Sequence, residues 1–190
     1  MTELILSSKS PRRQQLIATL GWPVKVVEIA VDETISEPIS SDRVAEMLAC
    51  RKAAGMDARK LQAGQILVTA DTVVVHDNKV LGKPHDKAEA RQMLRMLSGS
   101  PHYVYTGVCL KTNSRQVSFT EKTTVYFKPL DEAEIDYYID TYKPFDKAGS
   151  YGIQEWIGMI GIEKIEGCYY NVMGLPTARL YSAIRSLETE

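Results

Sequence analysis

Several short stretches of this 190-residue chain hold residue types that could act on a polyanion. The first runs Ser7-Ser8-Lys9-Ser10-Pro11-Arg12-Arg13. Ser10 suits a helix N-cap, and Pro11 suits the first helical position, where its missing N–H costs nothing. A helix start offers free N–H groups and a partial positive charge, and Arg12 and Arg13 stand beside it. That combination suits phosphate, and a capped helix with two solvated arginines is the plainer alternative. The second stretch, ILVTADTVVV at 66–75, holds a single charge, Asp71, in a run fit for a buried strand. A buried carboxylate without partners costs roughly several kcal/mol, so Asp71 needs a cation, a metal or donors nearby. Alternation along the strand puts Asp71 on one face with Thr69 and Val73. A functional carboxylate is favoured over a strand-end ion pair.

Lys52 follows Val44 and Leu48 at helical spacing, so it sits on a core-facing stripe. It either snorkels to solvent or, beside an acidic or phosphate site, points into a cleft. Gly82-Lys83-Pro84 is a stiff turn that presents Lys83, with a plain surface turn as the alternative. No GxxxxGK[ST] motif occurs in the chain. FDKAGSYGIQ at 145–154 is a glycine-rich polar loop whose backbone could approach a ligand closely, and the Gln154 amide offers both a donor and an acceptor to a base edge. NVMGLP at 171–176 reads mainly as a helix-entry turn. Basic groups near helix starts, a buried Asp and a polar loop would together suit phosphates, a divalent cation and a base.

The elements that must position these residues alternate. A strand at Leu4-Ile5-Leu6 leads into a helix with Leu16, Ile17 and Leu20 on its apolar stripe, closed by Gly21. Residues 24–29 read as a strand, and 30–40 as a loop with Asp32, Glu33 and Pro38. A helix is expected from Ser41 to about Lys60, a strand over 66–75 turned back at Asp77-Asn78, and a helix over 86–97 with Ala90, Met93, Leu94 and Leu97 inward. A long hairpin spans 102–110 and 116–128, followed by a helix over 131–142, a short strand over 160–166 and a closing helix over 176–187. The aromatics Tyr103, Tyr105, Phe119, Tyr126 and Phe127 of the hairpin are expected in the core, with a dimer surface as the alternative. Strand–helix alternation broken by one hairpin predicts an α/β fold with a mixed sheet.

Composition narrows the function. Hydrophobic residues make up 44 %, enough for a real core, and the net charge of -1 argues against nucleic acid held by bulk charge. No apolar run is long enough for a membrane span, and the start lacks the basic residues of a signal peptide. Cys50, Cys109 and Cys168 are far apart and form no CxxC, which predicts reduced thiols in the cytoplasm. His76, His85 and His102 show no paired metal spacing. No linker or repeat divides residues 1–190, so a single domain is expected.

SSKSPRR, ADTVV, GKP, LSG, HYVYTGV, DKAGSYGIQ and NVMGLP occur in the order found in the Maf family of nucleoside triphosphate pyrophosphatases, from residue 7 to residue 176. The resemblance implies an elongated α/β fold similar to inosine triphosphate pyrophosphatases, with two lobes around a cleft. It also implies a Mg²⁺- or Mn²⁺-dependent hydrolase that releases a nucleoside monophosphate and pyrophosphate. By motif, Asp71 corresponds to the family's proton acceptor, Arg12, Thr72 and Gln154 to its specificity positions, and Ser8, Arg13, Lys52 and Lys83 to its phosphate-side residues. Glu33, with Asp71, corresponds to a metal-holding acid. Gln154 with the preceding KAG resembles the dTTP/UTP group. A 7-methyl-GTP or other modified-purine substrate is one alternative, and a non-catalytic nucleotide-binding regulator of septum formation is another. Glu155 and Trp156 stand where many relatives have Gly. Members often form homodimers.

Overall fold

Strand β1 (Glu3–Ser7) ends in the serine turn that starts helix α1 (Pro11–Ala18), and the chain returns as β2 (Val24–Val27), parallel to β1. The structure, a computed structural model, describes residues 2–35 and 39–188, so Met1 and Pro38 lie outside the described residues. Helix α2 (Val44–Ala54) leads to β3 (Gln65–His76), which lies parallel to β1 on its other side, with Ser7 opposite Thr69. Strand β4 (Lys79–Leu81) folds back on β3, and helix α3 (Lys87–Leu97) follows. The hairpin is β5 (Pro101–Lys111) and β6 (Gln116–Phe127). Helices α4 (Glu132–Tyr142) and α5 (Trp156–Gly161) precede β7 (Ile162–Glu166), antiparallel to β6, and α6 (Tyr169–Met173) and α7 (Thr177–Glu188) close the chain. The strand order is β2-β1-β3-β5-β6-β7, with β4 on β3, which is the expected mixed α/β sheet flanked by helices.

The chain resolves into two compact units. One comprises residues 1–71, 106–121 and 174–190, the other 72–105 and 122–173. In the first, Ile5, Leu67, Ala49, Ala53, Leu61 and Cys109 form a core cluster. Strand β5 meets α2 closely there: a Cβ on Gly107 would lie 2.2 Å from the Glu46 amide nitrogen, so only glycine fits. In the second unit, the α3 stripe Ala90, Leu94 and Leu97 packs with Ile135, Tyr138 and Ile139 of α4 and with Val104, Val125 and Phe127.

Local chemistry explains the boundaries. Asp77 and Asn78 both adopt positive φ (47° and 61°), the backbone that a two-residue hairpin turn requires and that Asp and Asn tolerate. The helix expected to reach Lys60 stops at Ala54, where Lys111 Nζ donates to the carbonyls of Ala53 (3.1 Å) and Met56 (2.6 Å) and so caps the helix end. A separate 3₁₀ turn, Ala58–Lys60, starts at Asp57, whose carboxylate accepts from the Arg59 amide. Helix α1 ends before Leu20 and Gly21, where the Thr19 hydroxyl donates to the Leu16 carbonyl. The strand expected from residue 160 begins at Ile162, because α5 occupies 156–161.

The aromatic expectation fails for most of the hairpin: only Phe127 is buried, while Tyr103 is exposed with Lys122 Nζ 3.9 Å from its ring centre. In the first half of β5 burial alternates through His102, Val104 and Thr106, so Tyr103 and Tyr105 take the outward face.

Candidate active site

Parallel pairing of β1 with β3 brings the C-terminal end of β1, and the helix start that follows it, level with Thr69 in the middle of β3. Asp71 lies two residues beyond Thr69, the partner of Ser7. The Thr69 hydroxyl is fully buried and donates to the Ala49 carbonyl of α2 at 2.7 Å, which ties β3 to the helix that carries Lys52.

Lys52 lies on the α2 stripe below buried Val44 and Leu48, and its ammonium meets two carboxylates. Its Nζ stands 2.6 Å from Asp71 Oδ1 and 3.0 Å from Glu33 Oε1. The Lys52 and Asp71 side chains are 14 % and 15 % exposed, so this is a largely desolvated pair, whereas Glu33 reaches in from solvent. The cation demanded by a buried Asp71 is therefore Lys52. The segment that carries Glu33 is strapped to α2 by Arg51, whose Nη1 donates to the carbonyls of Asp32 (3.0 Å) and Thr34 (2.7 Å). In the sequence Arg51 carries no distinguishing signal: on a helix it reads as a solvated charge.

At the start of α1, the Ser10 side chain accepts from the Arg13 amide at 3.5 Å and Pro11 occupies the first turn, as expected. Ser8 is built into the same turn. Its Oγ accepts from the Ser10 amide at 3.1 Å, and its carbonyl accepts from Gln14 Nε2 at 3.0 Å. The half-buried Arg13 donates from Nε to the Gly174 carbonyl at 2.8 Å. Desolvation pulls its pKa below the ordinary arginine value and Arg12 adds to this, while the negative charges of Asp71 and Glu33 oppose it. Arginine stays charged across physiological pH all the same. Arg12, Arg13, Glu33, Lys52 and Asp71 thus form one electrostatic cluster in the first unit. NVMGLP is more than a helix-entry turn. Its Asn171 belongs to α6 and is fully buried, donating to the Val104 carbonyl and to Thr123 Oγ1, and its Gly174 (φ 113°) offers the carbonyl that holds Arg13.

Thr72, Lys83 and Gln154 belong to the second unit. Lys83 is exposed on its turn, which is anchored where the Gly82 carbonyl accepts from the Gly149 amide at 3.0 Å. In the glycine-rich loop, Lys147 is nearly buried (8 % exposed) between Asp146 Oδ1 (2.7 Å) and Glu155 Oε1 (3.1 Å). Tyr138 donates its hydroxyl to Glu155 Oε2 and accepts from the Gly152 amide at 3.1 Å. Burial, and then Glu155, raise the Tyr138 pKa, so the phenol keeps its proton. Gln154 Oε1 is buried and accepts no hydrogen bond from the described residues. Tyr138 carried no signal in the sequence, because on α4 it falls on the stripe of Ile135 and Ile139 and reads as core.

Asp71 and Glu33 offer hard oxygen donors that converge on one ammonium, and such a donor set suits Mg²⁺ or Mn²⁺ when phosphates and water supply the remaining ligands. Among the described residues no group of three His, Cys, Asp or Glu side chains forms a cage. Among the same residues, no helix is long and apolar enough to cross a membrane.

The chain resembles a HAM1 protein of Coxiella burnetii in fold, with a TM-score of 0.52 at 14 % identity over 98 % of this chain and 100 % of that one. In sequence it is 48 % identical to a dTTP/UTP pyrophosphatase of Phocaeicola vulgatus, across 97 % of this chain and 96 % of the relative. A dTTP/UTP pyrophosphatase of Christiangramia forsetii is 46 % identical, across 97 % and 94 %. The model of the family described as Maf-like protein matches residues 3–187. Matched along nearly its whole length by that family and by full-length relatives, the chain belongs to the Maf family.

Proposed function

We infer that this protein is a nucleoside triphosphate pyrophosphatase that hydrolyses dTTP and UTP to the monophosphate and pyrophosphate, a nucleotide-pool house-cleaning reaction. The substrate follows from the activity that its full-length relatives are named for. The observation that carries the chemistry is the desolvated Lys52–Asp71 pair with Glu33 at the same ammonium.

In this reading Asp71 accepts a proton from the water that attacks the α-phosphorus. The α–β phosphoanhydride bond breaks and the electron pair leaves with pyrophosphate. Arg13 and Lys52 balance phosphate charge, with Lys83 and Ser8 assigned the remaining phosphate contacts and Arg12 and Thr72 assigned to specificity with Gln154. Preorganised charge of this kind supplies most of the rate in phosphoryl chemistry. Asp71 and Glu33 are the residues that would hold Mg²⁺ or Mn²⁺, which when bound supplies further neutralisation of the phosphate oxygens. The unpaired Gln154 Oε1 fits a base with an N–H to donate. Thymine and uracil both present N3–H beside the O4 acceptor, the complement of a carboxamide. The reading also places the protein in the cytoplasm, in keeping with free Cys50, Cys109 and Cys168, and as a homodimer, which light scattering tests.

The direct test is pyrophosphate release with Mg²⁺ or Mn²⁺ across dTTP, UTP, CTP, the purine triphosphates and 7-methyl-GTP, with Asp71→Asn alongside. Fastest release from dTTP and UTP, lost in the variant, is expected. Release only from 7-methyl-GTP would move the protein to another specificity group, and binding without release would make it a regulator.

A further inference from the structure

A glutamine amide alone does not separate uracil from cytosine. Uracil presents N3–H and O4, whereas cytosine presents the N3 lone pair and N4–H₂, and an amide satisfies either pattern by turning over. Selection for uracil and thymine therefore needs a second group that holds the amide one way round. Glu155 is placed to be that group. A Cβ on Gly152 would stand 2.9 Å from Gln154 Nε2 and 3.1 Å from Glu155 Oε2, so the amide's NH₂ end and the carboxylate crowd over the same glycine. The bare Gly152 makes that space. Turning the amide over would bring its carbonyl oxygen towards the Glu155 charge in a site of low solvent access, where like partial charges repel strongly. Glu155 is itself held by two partners, the Lys147 ammonium at 3.1 Å and the Tyr138 hydroxyl, and Tyr138 is pinned by the Gly152 amide. Among the described residues Gln154 Oε1 has no partner, so in this orientation it accepts from N3–H while the second Nε2 hydrogen stays available to O4, a pairing that cytosine cannot make.

We propose that Glu155, held by Tyr138 and Lys147, is a positioning residue that fixes the Gln154 amide with its NH₂ end inward and so makes the enzyme choose uracil and thymine over cytosine. The proposal rests on the pyrimidine triphosphatase reading.

The test has two readouts. In the first, kcat/KM for UTP and for CTP is measured for wild type, Glu155→Gln, Tyr138→Phe, Gln154→Ala and Gln154→Ala/Glu155→Gln. Glu155→Gln keeps shape and removes the charge, and should lower the UTP-to-CTP ratio about tenfold, the effect of one hydrogen bond to a base edge. Tyr138→Phe should lower it in the same direction by less. In the Gln154→Ala background, Glu155→Gln should change the ratio no further, because coupled residues are not additive. In the second readout, the side-chain NH₂ resonances of Gln154 are followed by ¹⁵N NMR in nucleotide-free protein, and should shift in both Glu155→Gln and Tyr138→Phe. An unchanged ratio in Glu155→Gln, an equal change with and without Gln154, or unmoved Gln154 resonances would each overturn the proposal. A wild-type protein that releases pyrophosphate from no nucleotide, but whose Gln154 resonances follow Glu155, would retain the positioning and refute the functional reading instead.

Discussion

Lys52→Met should destabilise the protein more than Asp71→Asn, although the two side chains form one ion pair. Lys52 Nζ serves both Asp71 (2.6 Å) and Glu33 (3.0 Å). The substitution Lys52→Met keeps apolar volume on the Val44 and Leu48 stripe but strands an Asp71 carboxylate that is only 15 % exposed. Breaking a fully buried pair from one side costs about 3–5 kcal/mol. The charge of Arg13 still faces Asp71, and some solvent reaches it, which reduces the expected loss to about 2–3 kcal/mol. Asp71→Asn leaves Lys52 paired with Glu33, so its cost should be about 1 kcal/mol, that of one lost hydrogen bond. In a chain of this size about 1 kcal/mol moves the melting temperature by about 2–4 °C, so Lys52→Met should melt about 5 °C below Asp71→Asn. Turnover should rank the other way. Loss of a general base costs about 10²–10⁴ in rate, so Asp71→Asn should be the less active of the two. Thermal unfolding and pyrophosphate release on the same preparations measure both. Asp71→Asn melting at or below Lys52→Met would refute the charge accounting, and near-normal turnover in Asp71→Asn would remove Asp71 from the mechanism.

Arg13→Ala should raise KM and lower kcat together, because it removes a phosphate-side charge and frees the Gly174 loop; a change in melting temperature alone would make Arg13 structural. Gly107→Ala forces a Cβ to within 2.2 Å of the α2 backbone and should cost about 3 kcal/mol, the upper end for overpacking, along with activity, since α2 carries Lys52. Normal melting of that variant would contradict the close approach. Burial, and then the charge of His76, lower the His102 pKa from 6.5 to about 3. The unfolded chain therefore binds a proton that the folded protein refuses between those values, and stability should fall as pH drops through that window. His102→Phe should flatten this acid limb, and an equally steep loss of unfolding free energy in both proteins would rule out His102 as its source.

The amino-acid sequence alone specified the α/β class, the Ser10-Pro11 helix start, the Asp77-Asn78 turn and the α3 stripe. Each depends on residues close together in the chain, whose caps, φ preferences and periodicity act locally. It also marked Asp71 as a charge that needs a partner and Lys52 as a charge on an apolar stripe, because a charge in an apolar pattern is conspicuous without any knowledge of its neighbours. Motif order carried the family. What belongs to the tertiary structure is the pairing: that Lys52 answers Asp71 and Glu33 at once, that Arg13 is tied to Gly174, and that Glu155 is gripped by Lys147 and Tyr138. Those partners lie 8 to 161 positions apart, and no local pattern distinguishes Tyr138 from an ordinary core tyrosine. Desolvation made the choice. Once packing excludes water from a charged group, its free energy depends on whichever opposite charge or donor the fold brings to it, and only the fold specifies which one that is.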